Sequence, residues 1–411
     1  MNLRKNAIFG QSLNGLALID QIRELRILDY LCLTTCILVV SGCLPALSKE
    51  ERPLASTQIT QAQAIRPKTE IYADATTGLV GFQAFKLERG QVQNFIATSS
   101  GQRAYASTSD GAILELQYLA KSNQLDRRQI YHAQGLQTLL ALSQDETLLA
   151  IAEFSSITVL DLTTLEVKAK RSDLRGGVTA ISWDPLQEYL IFGQADGTIY
   201  AWSWKQASAL ETYLGASSAI EKIIVHPLGR IFFAGERDGQ ISVFRLIRTD
   251  YDLGLRDPDA AVDLPQSVRK IQTPSLGTRI DDMWLESNGA YLFVSASDGQ
   301  VYPYKIRGIK QLPPFKVSAD FLVGFTGIEQ QILFFGAATK DQRLRFFCFR
   351  NDGNFTLDSA TFLEPLEFLT AKGGILWATQ KSGNIIRFDL KLLSADPAWA
   401  EQSQRCLRTI T

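Results

Sequence analysis

Chemistry-bearing residues are sparse in this chain, and the best placed of them is Cys43. An uncharged run of eleven residues, Tyr30 to Val40, is followed at once by Ser41-Gly42-Cys43. That is the length of a signal-peptide core, whereas a helix that crosses a bilayer needs about 20 apolar residues. The only histidines are His132 and His226. Neither has a second His or a Cys at ligand spacing, so a zinc-type site is not expected, nor is any other metal or cofactor. His226 precedes Pro227-Leu228-Gly229 much as Asp184 precedes Pro185, which makes it a turn residue. The segment DYDLGLRDPD from Asp250 has acidic spacing faintly like a calcium loop, but it lacks the full ligand series and the closing Glu. No Gly-rich phosphate loop leads into a helix, and no nucleophile elbow is present.

The ending Val40-Ser41-Gly42-Cys43 resembles the bacterial lipobox. The resemblance implies cleavage before Cys43, a lipid on its thiol, and a signal peptide over residues 1–42. The 29 residues ahead of the apolar run include Asp20, Glu24 and Asp29, unlike an ordinary basic n-region; a start at Leu25 would give a signal of normal proportions. Cys32 and Cys36 would leave with the signal. Cys348 and Cys406 then remain, too few for a disulfide framework, with a single bridge between them left open. Residues 43–75 carry one aromatic, Tyr72, among many Gln, Thr, Ala and Ser, and are expected to be a lipidated, flexible tether.

Lys and Arg total 42 against 43 for Asp and Glu, so no global basic surface exists to neutralise phosphates, and nucleic acid is not an expected partner. A length of 411 residues exceeds what one hydrophobic core usually serves, a limit that repeats escape.

The elements that must position any site are repeated. An apolar alternating run, a turn, a second run, a polar turn often ending in Asp-Gly, and a third run recur from Val92, Leu136, Val178, Ile220, Ile280, Phe321 and Leu366. The turn before the third run is anchored at Asp110, Ser155, Asp196, Asp238, Asp298, Asp341 and Ser382. Those anchors lie 41 to 45 residues apart, except for one spacing of 60. Short alternating strands at this period predict an all-β, seven-bladed β-propeller with four-stranded antiparallel blades over residues 76–411, with an insertion at 248–266. Outer strands are expected at RRQIY ending at Tyr131, LETYL ending at Leu214 and VRKIQ from Val268. The last blade takes its outer strand either from GFQAFKLE at Gly81, the favoured source, or from RCLRTIT at Arg405.

This layout resembles the WD-repeat family. The family's Trp position is held by Trp202, with Leu116, Leu160, Phe244, Tyr304, Phe347 and Phe388 in the other units, and the Asp that follows survives as Asp161 and Asp389. The Gly-His pair that opens a repeat is missing, although His132 stands where the family places its His; with Ser155 and Leu160 in that unit, the family's buried network cannot form there. The architecture predicts a protein-binding scaffold rather than an enzyme. Its expected partners are other envelope proteins, and its expected place is the bacterial cell envelope, lipid-anchored to a membrane, the outer one facing the periplasm if the cell has one. A lactonase or hydrolase site at the central channel is the alternative. Within the insertion, Tyr251, Leu253 and Leu255 are candidate apolar anchors, rimmed by Arg248, Asp250, Asp252, Arg256 and Asp257.

Replacing Cys43 with Ala is expected to block processing and anchoring, and mass spectrometry of the native protein should find no peptide from residues 1–42. Normal anchoring of the variant would remove the lipid from Cys43.

Overall fold

Alternating apolar runs separated by turn residues become strands wherever the chain is described, and no other regular element occurs among those residues. The computed structural model describes residues 63–65, 82–87, 90–135, 137–206, 210–213, 216–246, 270–286, 288–316, 321–328, 332–339, 343–350, 353–361 and 365–389.

Two short strands come first, β1 (Gln63–Ile65) and β2 (Phe82–Lys86). The first blade follows: β3 (Val92–Ala97), β4 (Arg103–Thr108), β5 (Ala112–Leu119) and β6 (Gln124–His132). The second is β7 (Leu139–Leu142), β8 (Leu148–Ala152), β9 (Ile157–Asp161) and β10 (Val167–Arg171). The third is β11 (Val178–Trp183), β12 (Tyr189–Gln194), β13 (Ile199–Ser203) and β14 (Leu210–Tyr213). The fourth is β15 (Ile220–Val225), β16 (Ile231–Glu236), β17 (Ile241–Arg245) and β18 (Lys270–Gln272). The fifth is β19 (Ile280–Leu285), β20 (Tyr291–Ala296) and β21 (Gln300–Lys305), edged by β22 (Lys310–Gln311) and β23 (Phe315–Lys316). A further four-stranded sheet holds β24 (Phe321–Ile328), β25 (Ile332–Thr339), β26 (Arg343–Arg350) and β27 (Gly353–Thr361). A closing blade holds β28 (Leu366–Lys372), β29 (Ile375–Gln380) and β30 (Asn384–Asp389). All pairings are antiparallel. The three-strand units and the outer strands at Tyr131, Leu210–Tyr213 and Lys270–Gln272 therefore fall where the repeat predicts them. The packing of six blades is described down to their side chains, whereas the sheet of residues 321–361, where one of the expected seven blades falls, is described by its strands.

First strands sit side by side around the axis: β3 beside β7, β7 beside β11, β11 beside β15, β15 beside β19 and β28 beside β3, with β24 next to β19 and β28. Second strands are covered on both faces by neighbouring blades and accordingly lose their polar alternation. LLAIA in β8 and IFFAGE in β16 are buried at every position, whereas the outer β10, VKAKR, alternates into solvent. Glycine sets the spacing between blades. A Cβ on Gly193 of β12 would lie 2.5 Å from Ile220, and one on Gly235 of β16 would lie 2.8 Å from Met283, so each missing side chain lets the next first strand close in.

The polar turns behave as read. Gly111, Gly197, Gly239, Gly299 and Gly383 all have positive φ, as a two-residue turn after Asp or Ser requires. Asp196, Asp238 and Asp298 each accept the N–H two residues on.

Ring closure falls to the N-terminal strand. β2 pairs with β30 from Phe82↔Phe388 to Lys86↔Asn384, which completes the closing blade in the order β2-β30-β29-β28. Phe85, fully buried, packs with Phe95, Trp377 and Ile385, so β2 carries core as well as backbone bonds. The competing run at Arg405 lies outside the described residues. One expectation is modified: within the presumed tether, β1 pairs antiparallel with β6 as a fifth strand on the first blade, Ile65 opposite Leu125. Its low aromatic content argued against a core but says nothing about backbone pairing along an open edge.

Deleting residues 1–75 is expected to leave a cooperative thermal transition, while deleting 1–90 removes β2 and should broaden or abolish it. Phe85→Ala should cost about 3–5 kcal/mol in denaturant unfolding. Equal melting of the two truncations would reassign closure.

Candidate functional site: the bulged end of the ring

Each first strand begins at the end of the ring that carries the Asp-Gly turns, and in five of them the pairing slips there. The register shifts between Val92 and Asn94, Val178 and Ala180, Ile220 and Lys222, Ile280 and Asp282, and Leu366 and Phe368. The skipped residue is Gln93, Thr179, Glu221, Asp281 or Glu367. A bulge leaves its extra residue out of the ladder and re-aims the side chain. Five equivalent bulges thus set a ring of polar groups around the axis, each partly exposed.

Charge gathers on one arc of that ring. Glu221 Oε1 lies 2.5 Å from Arg237 Nε, Asp281 Oδ1 lies 2.9 Å from Arg279 Nη2, and Lys222 Nζ reaches across to Asp282 Oδ1 of the next blade at 2.7 Å. The hydrogen bond from Arg279 to Asp281, their mutual attraction and the field of Glu221 hold this guanidinium firmly charged against a smaller burial effect. In the first and third blades the corresponding residues, Gln93 and Thr179, are uncharged. Three alternating ion pairs on a solvent-facing rim contribute little to stability. They do impose an orientation on any partner that brings its own charges.

The loops behind this rim are held by buried acids. At the end of the second strand stand Glu153 in the second blade and Glu236 in the fourth. Glu153 Oε1 accepts the N–H groups of Gln134 and Gly135, at 2.6 and 2.5 Å, and its other oxygen accepts the Ser156 hydroxyl. Glu236 Oε2 accepts Ser217 N–H at 2.5 Å and the Ser217 hydroxyl at 2.8 Å, while Oε1 accepts the Ser242 hydroxyl. The side chain that ties down the entry loop therefore comes from the second strand, not from a His in the loop. His132 is exposed at the end of β6, opposite Ala112 of its own blade. Asp238 joins the same support; burial raises its pKa, but hydrogen bonds from Ser217, Gln240 and Ser218 outweigh this and lower it.

One large apolar group breaks this polar surface. Phe154 stands in the second blade's turn just ahead of Ser155, where other blades have Ser109, Ala195, Arg237 and Ser297, and is 66% exposed. Its ring lies over Gly177, where φ is +70° and a Cβ would come within 2.6 Å of it.

The opposite end is a set of tight turns. Asp184 is fully buried and accepts Leu186 N–H at 3.2 Å and Tyr189 N–H at 2.7 Å. His226 stands at the equivalent place, as the sequence indicates. Its Nδ1 accepts Leu228 N–H at 3.2 Å, and its Nε2 faces Gly289 in the next blade, where a Cβ would sit 2.2 Å away. Burial lowers the His226 pKa, with a hydrogen bond to the Gly289 backbone working weakly against it.

The remaining expected site residues divide clearly. Cys43, Cys406, Asp341 and the insertion residues Arg248, Asp250, Tyr251, Asp252, Leu253, Leu255, Arg256 and Asp257 lie outside the described residues; the insertion does fall between β17 and β18, as expected. Cys348 lies in β26. Trp202 is buried between the second and third blades, its indole N–H without an acceptor, and Leu116, Leu160, Phe244, Tyr304 and Phe388 are buried at the same position. Asp161 is a turn acceptor for Thr163 and Thr164 N–H. No group of three or more His, Cys, Asp or Glu capable of holding a metal occurs among the described residues.

Residues 169–203 match the family model described as WD domain, G-beta repeat. The matched stretch runs from β10 through β13, so the repeat is staggered by one strand against the blade. No curated protein matches the chain. With the fold, the match identifies a WD-repeat-like β-propeller.

Glu236→Ala strands two hydroxyls and an N–H and should cost roughly 2–4 kcal/mol, with Glu236→Gln costing less. For His226 the folded pKa lies below the unfolded one, so its contribution is complete above about pH 6.5 and is lost as pH falls through the folded value. His226→Asn keeps an acceptor for Leu228 and should flatten that part of the melting-temperature profile; an unchanged profile would assign the acid sensitivity elsewhere.

Proposed function

We propose that this chain is a seven-bladed propeller, with residues 321–361 as its sixth blade in sequence, and that it serves as a protein-binding scaffold held at a bacterial membrane by lipid on Cys43. WD-repeat-like propellers in general are protein-interaction scaffolds. The observation that carries the reading here is the bulged end: an exposed Phe154 and an arc of paired charges stand on turns fixed from below by buried Glu153 and Glu236. An exposed apolar anchor and a separate arc of paired charges on the same end of the ring, preorganised by their support, have the make-up of a protein contact. Acids and bases at this end are spent on one another and on loop N–H groups, which favours binding over catalysis. The apolar run ending in Ser41-Gly42-Cys43 supports the anchor, and the residues 248–266, with Tyr251, Leu253 and Leu255 among charges, support a second contact with an envelope protein.

Affinity purification of the native protein from membranes tests this. Phe154→Ala combined with Arg237→Glu should reduce the yield of co-purifying envelope protein at least tenfold while the melting temperature stays within a few degrees. Replacing residues 248–266 with a short Gly-Ser linker should reduce it independently. Undiminished co-purification by both variants would overturn the scaffold assignment to these surfaces.

A further inference from the structure

The turn that joins first to second strand recurs around the end of the ring opposite the bulges. In five blades its fourth residue donates its N–H to the carbonyl of its first: Gly101 to Thr98, Glu146 to Ser143, Gln187 to Asp184, Gly229 to His226 and Gly289 to Glu286. That fourth residue has positive φ in all five, +60° at Glu146 and +57° at Gln187. A side chain is therefore tolerated at the position itself. At Gly289 it is not, because a Cβ would lie 2.2 Å from His226 Nε2 of the fourth blade. The residue before it is Ser100, Asp145, Leu186 or Leu228 in the other blades and Asn288 in the fifth. Packing between blades thus sets a glycine directly after an exposed asparagine, and no Cβ hinders the glycine nitrogen from turning onto the asparagine side chain.

The surroundings of Asn288 favour that reaction. Ala290 N–H donates to Asn288 Oδ1 at 2.8 Å, which polarises the Cγ carbonyl and steadies the charge that builds on its oxygen. The Glu286 carboxyl bonds with the Asn288 side chain; burial raises its pKa against that bond and one from the Tyr291 backbone. Glu286 Oε2 is buried and meets no donor among the described residues, which also favours the protonated acid. Asn288 itself is exposed, so water reaches it and ammonia can leave. The turn has no need of its amide nitrogen: Asp145 in the second blade accepts Thr147 N–H at 3.0 Å in the same way.

We propose that Asn288 is a self-modification site, where Gly289 N closes onto Asn288 Cγ and the turn passes, with loss of ammonia, to aspartate and isoaspartate. In the first step the bond from Gly289 N to Cγ forms and the Cγ–Nδ2 bond breaks. The Glu286 carboxyl gives ammonia its third hydrogen and is reprotonated, through solvent, by the proton that Gly289 N loses. A water then opens the imide ring. Addition at Cγ leaves aspartate in the normal chain, and addition at the main-chain carbonyl leaves isoaspartate, its backbone longer by one methylene. The bond from Gly289 N–H to Glu286 O must open first, so conversion is slow and acts as a clock. Aspartate keeps the acceptor for Ala290 N–H. Isoaspartate displaces Gly289 from His226, and the clock is read out as a looser contact between the fourth and fifth blades. The site is independent of the bulged end and of the lipid on Cys43.

The test holds the full chain in neutral buffer, either folded or unfolded in urea, and follows the peptide that contains residue 288 by mass spectrometry. The mass of an acid in place of the amide marks conversion, and an isoaspartyl methyltransferase labels the isoaspartate. Conversion in the folded chain should be at least as fast as in urea, and Glu286→Gln should slow it several-fold in the folded chain alone. On ageing, hydrogen exchange should quicken at Leu228, whose N–H is held by His226 Nδ1, and at Gly289. Asn288→Asp, which has the charge without the longer backbone, should melt within a few degrees of the fresh protein. Conversion confined to the unfolded chain, an unchanged folded rate in Glu286→Gln, or aged protein that exchanges at Leu228 as the fresh protein does would each overturn the inference. The comparison of folded with unfolded chain needs no substitution, so it decides the matter even where Glu286→Gln melts early.

Discussion

Everything in this ring depends on the pairing of β2 with β30. A linear array of blades can lose an end and keep its middle, whereas a ring whose blades all lean on their neighbours has no end to lose. Five backbone-paired positions and the buried Phe85 join β2 to the last described strand, and the seam is reinforced beside them. Gln83 donates to Tyr118 and Asn123 of the first blade, Trp377 donates to Gly101 O at 3.1 Å, and Arg387 lies 3.9 Å from the centre of the Tyr118 ring. Burial lowers the Arg387 pKa, with Tyr118 and Asp389 acting in the opposite direction. A cation kept there on aromatic faces ties the closing blade to the first.

Much of the architecture was legible because it repeats. Period-two alternation marked the strands, and Asp-Gly marked turns that need positive φ; both are local properties. Gly81–Glu88 could be assigned to closure because it alternates and lies directly ahead of the first unit. What escaped reading was relational. The polar second residue of five units, in Val92-Gln93, Val178-Thr179, Ile220-Glu221, Ile280-Asp281 and Leu366-Glu367, is a visible signal, but it resembles an ordinary break in alternation until the register shows that the residue is skipped. Glu153 and Glu236 likewise look like solvent-facing acids next to turns. Their role depends on loop N–H groups some 20 residues away in sequence.

The chain resembles the WD-repeat family in architecture without carrying the family's detailed motif. The family's buried network is one way to tie an entry loop to a blade. Here carboxylates at the end of the second strand provide acceptors for the same kind of orphan N–H, and the position of Trp202 is filled elsewhere by Leu, Phe or Tyr that bury equally well. Shape at that position is retained, whereas its hydrogen bond is dispensable. β1 was missed for a different reason: pairing along an edge needs only backbone, and leaves almost no compositional trace.

Closure between the two ends of the chain also has a consequence in time. Lys86 pairs with Asn384, so roughly 300 residues must be made after β2 before its partner exists. At about 5–20 residues per second, that interval is roughly 15 to 60 s. Throughout it the β2 edge has no native partner, Phe85 lacks its contacts with Trp377 and Ile385, and the first blade lacks one neighbour. A ribosome that stops before Asp389 releases an open ring with two sticky ends, not a smaller propeller. Whatever handles the nascent chain must shield its beginning until its end arrives.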